Sequence, residues 1–234
     1  MTEQEIINQV YALLEGDTEN WDTTSDEYLA ARVYCNAAIN RWERLEGIRW
    51  RELFATLTDS AVGLGGDKSL VAGTYSYNCP SDFKFVLGYV RTIDSSGNST
   101  YYTVIPPERI SKLDDTSTNW CYFTGNPKDG YDLHFNPDLT LTTGHTIAYE
   151  YYKAATTFTE TSSVNEMADH YFIIYFVLSR FYENDGEDAK ASKAFQEAEA
   201  RLDQMKTENM IMAVDLEDKI EDISTDQGVG GFGV

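Results

Sequence analysis

The chain is poor in the residues that carry most protein chemistry. Only three cysteines, three histidines and five prolines occur in 234 residues, and eighteen lysines and arginines face thirty-nine acids. Cys35, Cys79 and Cys121 are an odd number at wide spacing without a C-x-x-C pair, so a disulfide framework is not expected and reduced thiols are. His134, His145 and His170 stand neither at i, i+4 from one another nor beside a cysteine at zinc-ligand spacing, so no metal site is predicted. No apolar run approaches the roughly 18 residues that cross a bilayer. Met1–Leu14 has acids where a signal peptide needs bases, which predicts a soluble chain with no membrane partner and no conventional export. The shortage of base leaves a net charge of -21, and a free-standing nucleic-acid binder is excluded because phosphate would be repelled.

Catalytic signatures are also missing. Gly63-Leu64-Gly65-Gly66-Asp67-Lys68-Ser69 resembles a phosphate loop, but Asp67 stands where glycine must precede the lysine, and a helix rather than a strand comes before it. There is no G-x-S-x-G elbow. The acidic turn Glu183–Asp188 lacks the spacing of a calcium loop, and Asp114-Asp115 reads as a loop pair. Neither an enzyme nor a cofactor is expected.

What is present is helical spacing at both ends and strand character between. Ile6, Ile7, Val10, Leu13 and Leu14 mark one face of a first helix that Gly16 ends. Thr24-x-x-Glu27 has the form of a capping box opening a long helix whose apolar positions run from Tyr28 to Leu57, with Gly47 as a candidate kink. That helix carries Arg32, Arg41, Arg44, Arg49 and Arg51 and is the one basic element of the chain. Its arginines are expected to pair with acids of this chain or of neighbouring copies, and Trp42 and Trp50 to enter a core. From Leu70 to Lys153 short runs of Tyr, Phe, Val and Thr alternate with turn signals: Asp94–Asn98, Gly125–Gly130 around Asn126-Pro127, and Asn136-Pro137-Asp138. Pro106-Pro107-Glu108 suits a short helical turn. Ser163-x-x-Glu166 suggests a second capping box before an apolar helix, and Asn184-Asp185-Gly186 turns into a last helix from Glu187 to Met210.

These parts predict an α+β fold: a helical core, made of the long helix and a helical hairpin, with an inserted antiparallel β-meander and an extended carboxyl-terminal arm. The expected divisions are 1–62 for the first helices, 63–158 for the strand insertion, 159–210 for the hairpin and 211–234 for an acidic, glycine-ended arm.

The layout resembles the head-to-tail connector proteins of tailed bacteriophages, also called adaptor or head-completion proteins. The residues that carry the likeness are Tyr34–Asn40 with Trp42, then Trp50–Phe54, Pro80–Phe83 opening the strands, Tyr149–Lys153 closing them, and the aromatic run Tyr171–Tyr182. The resemblance implies a non-enzymatic virion protein of the neck, assembled in the host cytoplasm as a homo-oligomeric ring, usually dodecameric. It implies a portal protein on one side, tail or further neck proteins on the other, and viral DNA passing through without specific binding. It further implies that the carboxyl arm docks on the portal through Val229, Phe232 and Val234. Arg41, Arg44, Arg49 and Arg51 are the expected inter-subunit contact. Two other readings are kept: another virion part, such as a tail or minor capsid protein, and a carbohydrate- or protein-binding module using the tyrosine-rich sheet.

Overall fold

The computed structural model describes residues 1–16, 20–57, 66–112 and 118–225, with side chains as far as residue 210 in the last helix. The chain divides into two compact units, a helical one made of Met1–Glu52 with Ala155–Val234 and a sheet unit, Leu53–Ala154. The α+β class is therefore the observed one.

In the helical unit α1 spans Glu3–Glu15. Thr2 and Glu5 cap it reciprocally: the Glu5 amide donates to Thr2 Oγ1 at 3.3 Å and the Thr2 amide to Glu5 Oε2 at 2.8 Å. Its buried stripe is Ile6, Ile7 and Val10. Helix α2 (Asp26–Glu43) is capped by Ser25, whose side chain accepts the Tyr28 amide. It stops at Glu43, short of the Leu57 that periodicity suggested. The reason is a cap supplied from beyond the helix. Trp50 folds back, stacks on Trp42 at 5.3 Å, and donates its indole N–H to the Trp42 carbonyl at 2.7 Å. Both tryptophans are buried, as expected of them.

Helix α3 (Tyr171–Asn184) buries Phe172, Ile173, Ile174, Phe176, Val177 and Leu178. It starts well after the Ser163–Glu166 signal because those side chains are used elsewhere. Ser163 Oγ accepts the amides of Thr159 and Glu160, and the Glu166 carboxylate accepts the amide and hydroxyl of Thr156. Helix α4 (Asp188–Thr225) packs on α3 through Ala194, Ala198, Leu202 and Met205. The extended arm predicted from residue 211 is thus helical as far as Thr225, since no glycine or proline occurs between Gly186 and Gly228 to break it. Val229, Phe232 and Val234 lie outside the described residues.

The sheet unit has seven strands: β1 (Phe54–Thr56), β2 (Ser76–Asn78), β3 (Phe83–Ile93), β4 (Ser99–Val104), β5 (Trp120–Asn126), β6 (Gly130–Phe135) and β7 (Thr146–Lys153). Their order is β1-β7-β3-β4-β5-β6-β2. Five pairings are antiparallel, but β4 and β5 run parallel over Thr103–Val104 and Trp120–Cys121, so the sheet is mixed where a meander was expected. Pro106 and Pro107 explain the change. They have no amide to offer a ladder, so the chain leaves β4 through a 3₁₀ turn, Pro107–Lys112, instead of reversing in a hairpin. The sheet curls, and residues 67–70 connect β7 with β2. Ile147 donates to the Lys68 carbonyl at 2.7 Å, Leu70 to that of His145 at 2.8 Å, and Asp67 to that of Asn78 at 2.9 Å. Inside lie Phe83, Val90, Cys121, Leu133, Phe135, Tyr149 and Tyr151.

Candidate assembly surfaces

The four arginines expected on one long helix are not all on one. Arg41 is in the last turn of α2, Arg44 is its C-cap, and Arg49 and Arg51 belong to the irregular segment that follows. Arg41 donates to both carboxylate oxygens of Glu199 on α4, at 2.9 and 3.0 Å, and lies over the Phe195 ring. Arg51 Nε meets Glu52 at 3.2 Å. Asn209 holds the backbone here: its Nδ2 donates to the Arg49 carbonyl at 3.0 Å and its Oδ1 accepts the Arg51 amide at 3.2 Å. Arg44 and Arg49 are exposed at the surface.

Asn209 is one of several polar side chains that clamp chain segments. Residues 155–158, which carry the chain back into the helical unit, have no ladder of their own. The Glu43 carboxylate accepts the Ala155 amide at 2.9 Å, Asn165 donates to the Thr156 carbonyl at 2.6 Å, and Glu166 takes the Thr156 amide. Asn36 completes the set, accepting the Phe158 amide at 2.7 Å and donating to the Phe158 carbonyl at 2.9 Å. Sequence reasoning missed these roles; Asn36 stood in a quoted motif, but its partner is 122 positions away. A fully buried ion pair end joins α1 to α2: Arg32 Nε donates to Glu3 Oε1 at 2.8 Å. The nearby Tyr28 hydroxyl is pushed up to about 12, by burial first and by the Glu3 charge second.

The chemistry-bearing residues are similarly occupied. All three cysteines are free and buried, and burial pushes each thiol up, so none is a poised nucleophile. His134 is within 2.7 Å of Thr124 Oγ1 and stacks on Tyr122, while burial holds His170 below its ordinary value at the start of α3. No cluster of three metal-ligating residues occurs among the described residues. Of the glycine-rich stretch, residues 58–65 lie outside the described residues, and Asp67 is bonded to the Asn78 amide at 2.8 Å. Asp114-Asp115 also lies outside them. Glu183 and Glu187, in the acidic turn, pair with Arg180 and Lys190. No described helix is long and apolar enough to cross a membrane.

Apolar surface, by contrast, is available. Leu13, Leu29 and Val33 are exposed on the helical unit. On the sheet unit a bulge between Leu87 and Val90, with Gly88 at φ 78°, pushes Tyr89 outward until it is 63% exposed. Tyr101 on β4 is exposed as well. Polar side chains here hold chain segments, and the chain is built from a helical unit and an inserted sheet unit, each presenting some apolar side chains outward. The chain belongs to the SU10 adaptor protein family, whose model matches residues 1–216. It is thus a bacteriophage adaptor and a structural component of the virion, and the family implies a non-enzymatic role and contacts with other phage head or tail proteins. No curated protein matches the sequence.

Proposed function

We propose that the protein is a neck connector: copies close into a ring, expected to be dodecameric, that binds beneath the portal, continues the DNA channel and offers the tail its attachment surface. The observation that carries this reading is adaptor membership over residues 1–216. A ring of identical subunits needs heterologous contacts between two different patches of one surface. Exposed Arg44 and Arg49, with Arg41 and Arg51 beside them, meet an acidic patch of the next copy in a chain whose net charge of -21 supplies many. The same charge lets DNA pass without adhering. Val229, Phe232 and Val234 dock on the portal, and the sheet unit faces the tail side.

The test mixes the purified chain with its portal and images the product by electron microscopy. One ring per portal is expected, with loss of the ring for Arg44→Glu and loss of portal binding when Gly228–Val234 is deleted. Copies found along the tail or in the capsid shell instead would overturn the neck reading, and unchanged portal binding after the deletion would overturn the docking role.

A further inference from the structure

The outer face of the sheet unit carries an aromatic cleft built around the bulge of β3. Leu87 pairs with Glu150 and Val90 with Tyr149, so Gly88 and Tyr89 are extra residues without a partner on β7. Val90 and Thr92 are buried, and strand alternation therefore puts Tyr89 and Arg91 on the opposite face. Tyr101 stands directly across from Arg91 on β4 and shares that face, since its neighbour Tyr102 is the buried one. Glu150 is exposed between Leu87 of β3 and Thr56 of β1. These residues line a concavity of about 240 Å³. That is below the roughly 300–1,000 Å³ of a drug-sized ligand's pocket and suits one small ring of a longer ligand. Gly88 is part of the lining, and the space a Cβ would take there is open.

The lining supplies two rings and one charge of each sign. Tyr89 is 63% exposed and Tyr101 56%. Among the described residues neither the Arg91 guanidinium nor the Glu150 carboxylate has an ion-pair partner. These four groups limit what the cleft accepts. An acidic ligand loses to Glu150 what it gains from Arg91, and a basic ligand the reverse. A wholly apolar one strips water from both charges and replaces none of it. The centre of a protein interface would favour Tyr and Arg, but Glu is depleted there. A neutral polyhydroxylated ring suits all four. Each of its hydroxyls both donates and accepts, so neighbouring hydroxyls donate to Glu150 and accept from Arg91, while the C–H face of the ring lies against a tyrosine. We propose that the cleft of Tyr89, Arg91, Tyr101 and Glu150 binds one residue of a neutral saccharide chain, the tyrosines stacking on the sugar and the charged groups holding its hydroxyls. The proposal goes beyond the neck reading and does not rest on it.

Saturation-transfer NMR on the full chain tests the proposal, with maltotetraose, cellotetraose, mannotetraose and chitotetraose as neutral probes and tetragalacturonate as an acidic one. At least one neutral probe should bind, and more tightly than the acidic one. Tyr89→Ala, Tyr101→Ala, Arg91→Gln and Glu150→Gln should each weaken that binding about tenfold, while Tyr89→Phe, which keeps the ring, should stay within about twofold of the wild type. All these variants change outward side chains, and an unaltered circular dichroism spectrum checks that the fold is kept. Binding of no neutral probe, tighter binding of tetragalacturonate, or affinity unchanged in the variants overturns the proposal. A loss in Tyr89→Phe as large as that in Tyr89→Ala overturns the stacking. If the variants abolish a contact with another virion protein while no saccharide binds, the cleft is a protein interface and the proposal falls.

Discussion

Replacing Arg32 with methionine should detach α1 at a cost that can be worked from the Glu3 contact. The Glu3 side chain is fully buried, its Oε1 sits 2.8 Å from Arg32 Nε, and its Oε2 has no hydrogen-bond partner. At an effective dielectric of about 20, unit charges that close attract by about 6 kcal/mol, and desolvation of the carboxylate offsets much of this. The net worth of the pair is therefore small, but removing one member strands a buried charge, which costs about 3–5 kcal/mol. Arg32 is 23% exposed in its side chain, which places the loss near the lower end. Three of the four tryptophans, Trp21, Trp42 and Trp50, are in the helical unit, so fluorescence-monitored urea unfolding reports on it. With a slope of about 2 kcal/mol per molar urea, the midpoint of Arg32→Met should fall by roughly 1.5 M. The Glu3→Leu, Arg32→Met double variant, which removes both charges and keeps apolar volume, should return to within about 1 kcal/mol of the wild type. A midpoint for Arg32→Met within about 0.3 M of the wild type, or a double variant as unstable as the single one, refutes the reasoning.

Gly125→Ala should disrupt the β5–β6 pair, because at φ 116° its Cβ would lie 2.2 Å from the Gly130 carbonyl oxygen; the loss should exceed about 3 kcal/mol and appear in near-ultraviolet circular dichroism. Asn36→Ala strands the Phe158 amide and carbonyl and should cost about 2–4 kcal/mol, with proteolysis near residue 158 as a second readout. Tyr28 titrates near 12 when folded and near 10 when unfolded, so the folded state keeps a proton that the unfolded state loses. Stability is complete below about pH 10 and declines toward 12, and Tyr28→Phe should flatten that decline in unfolding curves taken across the window.

The strands were legible where local chemistry decides them. Asp94–Asn98, Asn126-Pro127 and Asn136-Pro137 are turn signals in any context, and β3 to β7 lie in the stretch they punctuate. Elements decided by distant partners were not. The end of α2 depends on an indole eight residues on, β1 exists only because Tyr152 and its neighbours pair with it, and the capping-box residues before α3 were claimed by Thr156, Thr159 and Glu160. The arginines were recognisable as the basic part of an acidic chain, yet their separation onto a helix end and a loop required knowing where α2 stops.

The insertion begins and ends on two neighbouring strands, with Phe54 opposite Tyr152. About a hundred residues therefore leave the helical body and return to it as a hairpin would, and the spacing of the two attachment points does not change with what is hung between them. Lengthening such a loop costs little extra closure entropy, about 0.6 kcal/mol per doubling. Selection can then exchange the whole sheet for another of different size, or pare it to a short turn, while the body's packing stays the same. Diversity among adaptors of this build should accordingly collect in the insert, and a chimera exchanged between Phe54 and Tyr152 is the natural unit for testing this.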